Sequence, residues 1–421
     1  MSGLNFLNKL LDGVDVEWLS LGELGDFIRG NGLQKKDFVE SGFPAIHYGQ
    51  IYTRYGLSAD KTFTYVLPEL ANKLRKAQKN DLLLATTSEN DEDVVKPLAW
   101  LGDNVAISGD MMLFRHEQNV KYLAYFFQSE IFQTQKMKYI TGAKVRRVSS
   151  GDLSKIKIPI PCSNNPEKSL AIQSEIVRIL DKFTALTAEL TAELNMRKKQ
   201  YNYYRDQLLS FKEGEVEWKT LGEIGNFTYG YAAKAMDSGD ARFVRITDIN
   251  KDGKLSKENP MYVELNEENE KYTLDKNDLL MARTGATFGK TMIFEEDYPA
   301  VYAGFLIKLN LNETIINAKY YWHFAQSDFF WEQANKLVSG GGQPQFNANA
   351  LKQVRVPIPY PSHPQKSLDE QGRIVDILDK FDAIAASITE GLPREIELRQ
   401  KQYEYYRDLL FSFPKPETVS N

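Results

Sequence analysis

A chain of 421 residues that is 42% hydrophobic and 26% charged has enough apolar material for several packed cores, and its net charge of −5 excludes a uniformly basic, stand-alone nucleic-acid binder. No apolar run reaches the ~18 residues of a membrane span. The single cysteine, Cys162, excludes an internal disulfide and a cysteine-based zinc site and points to a cytoplasmic location.

The N-terminal stretch "MSGLNFLNKLLDGVDVEW" lacks the basic segment, apolar core and small-residue cleavage site of a signal peptide. Residues 1–15 are expected to form a short helical segment. From there the chain is written twice. "VEWLSLGELGDF" at Val16–Phe27 returns as "VEWKTLGEIGNF" at Val216–Phe227, and "NDLLLATT" at Asn80–Thr87 returns as "NDLLMART" at Asn277–Thr284. "LSKIKIPIP" at Leu153–Pro161 returns as "LKQVRVPIP" at Leu351–Pro359, and "IVRILDKF" at Ile176–Phe183 as "IVDILDKF" at Ile374–Phe381. "KQYNYYRDQLLSF" at Lys199–Phe211 returns as "KQYEYYRDLLFSF" at Lys401–Phe413. A period this long makes each copy a domain rather than a solenoid unit. The flanks of the copies match while their interiors diverge, as expected of one frame carrying two recognition surfaces.

Within each copy short β-type runs are broken by turn signals, and helical patterns such as "VKYLAYFFQSEIFQTQKM" follow. Residues 16–163 and 213–361 therefore read as mixed α/β domains, with helical segments at 164–212 and 362–413 and a tail at 414–421. After "IPIP", Asn165 and Pro166 suit the start of a helix. The helix is expected to run to about Phe211, roughly 70 Å long. Ile176, Leu180, Phe183, Leu190, Leu194, Tyr201 and Tyr204 keep the three-four rhythm of a coiled-coil seam, and Ile374, Leu378, Phe381, Tyr403 and Tyr406 repeat it. "TAELTAEL" at Thr187–Leu194 lengthens the first helix by a four-residue unit, whereas "GLPREIEL" is expected to interrupt the second at Pro393. The fold class is thus α+β: two mixed α/β domains separated by two long antiparallel coiled-coil helices, in a pseudo-twofold internal repeat.

The doubled "VEWxxLGE", "NDLLxAxT" and "IPIP", together with "RILDKFTALTAELTAELNMRKKQYNYYRDQLLSF", resemble the specificity (S) subunit of type I restriction–modification systems, in particular its TAEL-repeat (type IC-like) subgroup. The resemblance covers essentially the whole chain. It implies two target recognition domains, each reading one half of a split, asymmetric DNA site, and helices that set the gap and dock two modification subunits. Those subunits methylate adenine at N6 with S-adenosylmethionine, and restriction/translocation subunits join them. Double-stranded DNA is then a partner and a membrane is not. Cofactors are expected on the partner subunits (S-adenosylmethionine, ATP and Mg) and none in this chain.

No catalytic constellation competes with this reading. "TGATFGKT" at Thr284–Thr291 misses phosphate-loop spacing by one residue. The Asn/Asp-Pro-Pro-aromatic motif of amino-methyltransferases is missing, and His47, His116, His323 and His363 have no metal-ligand spacing. The acidic stretch Glu89–Lys96 reads as a solvated loop. A self-contained methyltransferase or nuclease, or a coiled-coil scaffold without DNA readout, are the rival readings. The best candidate for DNA contact is Gly142–Lys157, with Lys144, Arg146, Arg147, Lys155 and Lys157 against Asp152. In the second copy the matched loop carries Gln343, Gln345, Asn347 and Asn349 instead, side chains suited to adenine edges where arginine suits guanine. A second candidate set is His47, Tyr48, Gln50 and Tyr52, matched by Arg245, Thr247, Asp248 and Asn250. A third is Thr86 and Thr87, matched by Arg283 and Thr284.

Overall fold

The computed structural model describes residues 11, 13–212, 214–386 and 391–413, so the expectations for residues 1–10 and for the tail 414–421 lie outside the described residues. The chain divides into two compact units: Met1–Glu189 with Glu397–Asn421, and Leu190–Ile396.

In the first unit the repeated flanking motifs find each other. Val16–Ser20 pairs antiparallel with Lys157–Pro161, Val16 opposite Pro161, so "VEW" and "IPIP" are the two halves of a clasp that shuts the domain. The second unit repeats it between Val216–Thr220 and Arg355–Pro359. The "LGE" that follows "VEW" is a capping device: the Glu23 carboxylate accepts from Ser20 N at 2.7 Å, and Glu223 does the same for Thr220 N at 2.6 Å.

Each domain is built on a strand covered on both faces. In the first, Leu82–Ala85 lies inside a five-stranded sheet ordered Gly25–Arg29, Met111–His116, Leu82–Ala85, Lys96–Trp100, Ser58–Ala59. Leu82 and Leu84 point into one core and Leu83 and Ala85 into another, the alternation a strand enforces. In the second, Leu279 and Met281 split from Leu280 and Ala282 in the same way. The preceding "ND" sets the turn: Asn80 and Asn277 both take φ 70°, a left-handed conformation that asparagine tolerates. The Asp81 and Asp278 carboxylates then accept the Gln78 and Asp275 amides.

The expected helices form, with one change in what their seam faces. Helix α1 (Val120–Gln128) buries seven of its nine residues. Helix α2 runs Pro166–Leu208, opened by the Asn165 side chain, which accepts from Lys168 N at 3.1 Å. Helix α3 is Ala318–Phe324, α4 spans Pro364–Ala386 and α5 spans Leu392–Phe411, with Pro393 in its first turn. Ile176 and Leu180 are fully buried, yet they face the core of the first domain as well as Tyr403, Leu410 and Phe411 of α5. Helix α1 arbitrates between them: Asn119 meets Gln173 and Tyr125 meets Asp181, while Tyr122 meets Phe411 and Tyr125 meets Tyr403. Helix α1 therefore packs against both segments, and all three share one core. In the second unit Ile374 and Leu378 are likewise buried in the domain core with Tyr201. Leu190 and Leu194 stay half-buried.

Both units repeat one aromatic arrangement. Phe183 stacks on Tyr406 in the first and Tyr204 on Phe381 in the second, each at 5.1 Å between ring centroids. Edge-on to these lie Tyr405 and Tyr203, 60% and 61% exposed.

The second unit holds a polar junction between its domain and its helices. Fully buried His323 sits between the Tyr201 hydroxyl (Nδ1, 2.9 Å) and the Asp379 carboxylate (Nε2, 2.9 Å). Burial keeps this imidazole neutral, so Nε2–H donates to Asp379 and Nδ1 accepts from Tyr201. Burial works against the Asp379 carboxylate, but hydrogen bonds from His323 and Lys319 hold its pKa down to about 2. Its neighbour Asp382 is the reverse case. Burial raises its pKa from 3.8 to about 6, and Lys254 at 3.6 Å, already held by Glu295, offsets this only in part. A carboxyl raised in the folded state favours folding in acid and opposes it as pH rises through that value. Asp382→Asn is therefore expected to stabilise the second unit at pH 7 by about 1–3 kcal/mol and to be nearly neutral below pH ~4. Thermal melts across that range check this; a destabilised variant at pH 7 would show that the Lys254 pair outweighs the burial.

Candidate nucleic-acid interface

Three stretches far apart in the first repeat meet at one edge of the fold. Arg146–Arg147 forms a short strand antiparallel to Thr87–Ser88, with Arg147 opposite Thr87. The helix Tyr48–Thr53 abuts the same edge, where the Tyr52 hydroxyl lies within 3.2, 2.9 and 3.3 Å of the carbonyls of Ala85, Thr87 and Asp93. The second repeat rebuilds the junction. Thr284 bridges Gln345, Phe346 N donates to Arg283 O at 2.8 Å, and Gly285 N donates to Pro344 O at 3.0 Å. Arg147 and Gln345 therefore occupy the same position in the same frame.

Charge within the basic loop is partly compensated. Arg146 Nε lies 2.8 Å from the Asp91 carboxylate and its Nη1 donates to Gly142 O at 2.6 Å, while Lys155 pairs with Asp152 at 2.8 Å. Lys144, Arg147 and Lys157 are exposed and form no ion pair among the described residues. Asp91 comes from the acidic stretch Glu89–Lys96, which is no cation site: fully buried Lys136 donates to its Glu92 and Val94 carbonyls. Among the described residues no group of side chains is arranged to hold a metal. "TGATFGKT" is a turn between paired strands, Met281 opposite Thr291.

The remaining candidates divide between surface and frame. Gln343, Asn347 and Asn349 are exposed and Gln345 is half-buried. Asn347 uses its carbonyl oxygen to cap a short helix, accepting from Asn349 N and Ala350 N at 3.0 Å. Gln50, Asp248, Thr86, Thr87 and Thr284 are buried. Gln50 accepts from His47 N at 2.8 Å and donates to Thr64 Oγ1 at 3.2 Å, and His47 Nδ1 accepts from Gly49 N at 3.2 Å. Asp248 binds the Arg245 guanidinium at 3.0 and 2.9 Å and lies 3.3 Å from Arg242. Asn250 accepts two turn amides at 2.9 Å. In this second set only Thr247 is fully exposed, with Tyr48 and Tyr52 half-buried. Its buried members shape the edge rather than face outward from it. Sequence reasoning passed over Arg29, Tyr229 and Phe305 on this edge because none lies in a repeated motif; only their exposure reveals them.

The comparisons with known proteins agree with this architecture. Residues 13–197 and 213–398 each match the family described as the type I restriction modification DNA specificity domain. Over the full length of both chains the protein is 42% identical to the EcoR124I/EcoR124II type I restriction enzyme specificity subunit of Escherichia coli. It is 33% identical to the EcoprrI specificity subunit, also from Escherichia coli, over 93% of each chain. Among solved structures, the S subunit of a type I restriction–modification system from M. genitalium shares the fold, with a TM-score of 0.54 over 96% of this chain and 98% of that one at 16% identity. Two specificity domains, a full-length relative and a shared fold place this chain in the type I restriction modification DNA specificity family.

Proposed function

We propose that this chain is the sequence-reading subunit of a type I restriction–modification complex, in which each α/β domain reads one half of a bipartite DNA site and the paired helices set the unread gap. The observation that carries this reading is the exchange of Arg147 for Gln345 at one framed position, opposite Thr87 and Thr284. One frame with a guanine-type reader in one copy and an adenine-type reader in the other suits two different half-sites. The chain itself is non-catalytic. S-adenosylmethionine, ATP and Mg belong to the modification and restriction/translocation subunits, and the complex works in the cytoplasm. No helix among the described residues is long and apolar enough to cross a membrane. Mapping methylated adenines with the assembled complex tests the assignment: a split, asymmetric consensus supports it, and methylation without a consensus contradicts it.

The twice-repeated tyrosine patch suits a partner that binds twice. Exposed aromatic residues on a rigid helix are efficient interface anchors. Tyr203→Ala and Tyr405→Ala are each expected to weaken one modification subunit's binding by ~10-fold or more while leaving the chain folded. Sedimentation of the reconstituted complex reads this as loss of one of two modification subunits from each single variant. Full occupancy in the double variant would exclude the patch from the interface.

A further inference from the structure

Each domain fixes one arginine on the same carbonyl, but from a different strand. The pairing registers define equivalent positions. Met112 lies opposite Arg29 and Ile307 opposite Tyr229, while Met111 lies opposite Ala85 and Leu306 opposite Ala282. Gly109 and Gly304 are therefore counterparts, as are Asp110 and Phe305, and Thr86 and Arg283. In the second domain Arg283 Nε donates to Gly304 O at 3.2 Å. Its guanidinium lies between the rings of Tyr229 (5.3 Å) and Phe305 (5.4 Å), which are themselves 44% and 56% exposed. The Tyr229 hydroxyl accepts from Ala348 N at 3.1 Å, which ties this wall to the reading loop that carries Gln345. In the first domain the equivalent carbonyl, Gly109 O, receives Arg29 Nε at 2.9 Å, with Arg29 Nη2 4.0 Å from Asp110.

A guanidinium held at Nε and walled by two rings has its direction set before any ligand arrives, and its terminal nitrogens remain available. The Arg283 guanidinium makes no further hydrogen bond among the described residues. That is the geometry for bidentate recognition of the O6 and N7 edge of guanine, where a pre-set fork is worth more than charge alone. Exposed Arg147, which has no side-chain partner among the described residues, is not pre-oriented in this way. We propose that Arg283 reads a guanine in the second half-site and Arg29 a guanine in the first. The proposal rests on the DNA-reading assignment above and names the base and the residues that carry it.

The test is methylated-site mapping with the assembled modification complex carrying Arg283→Lys, Arg283→Gln or, in parallel, Arg29→Lys. Arg283→Lys keeps the charge but loses the fork and the stacking. It is expected to make one G·C position of the second half-site degenerate, with every position of the first half-site retained and the affinity for the original site reduced about ten- to hundred-fold. Arg29→Lys is expected to do the same in the first half-site only. Phe305→Leu, which removes one wall and leaves Arg283 in place, is expected to relax that same second-half position partially. Arg283→Lys that preserves every preference, or Arg283→Gln that weakens all sequences equally and lowers the salt slope by about one, overturns the proposal in favour of a phosphate contact. A wild-type consensus without G·C in its second half-site overturns it alone. A wild-type complex with no consensus overturns the DNA-reading assignment together with it.

Discussion

Deleting Thr191–Leu194 from the central helix is expected to shorten the unread spacer of the DNA site by roughly one base pair and to leave both half-sites unchanged. The deletion removes about 6 Å of helix rise and a net ~40° of rotation, against ~3.4 Å and ~34° for one base pair of B-DNA. Translation and rotation nearly match, so a domain displaced by one unit finds its groove again one step along. The division between the compact units falls within the repeat Thr187–Leu194, between Glu189 and Leu190, and both Leu190 and Leu194 stay half-buried. On the original site the variant complex is expected to lose on the order of a thousand-fold in methylation rate, since a half-site out of register forfeits several base-pair contacts of about 1–3 kcal/mol each. Adding a third unit should lengthen the spacer by the same step. A deletion variant whose half-sites changed, or whose spacer stayed constant, would show that this helix does not set the gap.

Phe411→Ala is expected to destabilise the first unit by about 3–5 kcal/mol, the usual cost of an aromatic-to-alanine truncation in a packed core. Phe411 belongs to the last turn of α5, yet it is fully buried, with ring centroids 5.0 Å from Tyr122 and 5.6 Å from Phe126 of the first domain. Its counterpart in the other repeat is Leu209, also fully buried, within the core of the second unit. Leu209→Ala should therefore cost the second unit about 2–5 kcal/mol. Denaturant unfolding followed by domain-specific fluorescence labels separates the two units. A cost for Phe411→Ala below about 1 kcal/mol would mean that the C-terminal helix does not complete the first domain's core.

The repeat made the architecture legible because what it preserves is what the frame needs. "VEW" and "IPIP" persist because they pair with each other, and "NDLL" persists because its asparagine takes a left-handed turn and its leucines fill two cores. The helical stripes were legible too, but a three-four spacing says which side of a helix is apolar and not what covers it. Ile176 and Leu180 are covered by their own domain as well as by the other helix. The reading residues were harder for two physical reasons. Asparagine, aspartate and glutamine cap turns with the same groups that read bases, so Gln50 and Asp248 cannot be told from readers until their burial is known. Long-range partners are also silent in sequence. Nothing near Arg146 announces that Asp91 neutralises it, and nothing near Arg29 or Arg283 announces the glycine carbonyl that holds each of them.

The most direct measurement is the methylated consensus of the wild-type chain assembled with its modification subunits, read by single-molecule sequencing of DNA methylated in vivo. Two dissimilar domains on paired helices predict two short, different half-sites at one fixed separation, with the bases between them unconstrained. A single contiguous site, two identical half-sites, or half-sites at variable separation would contradict the account.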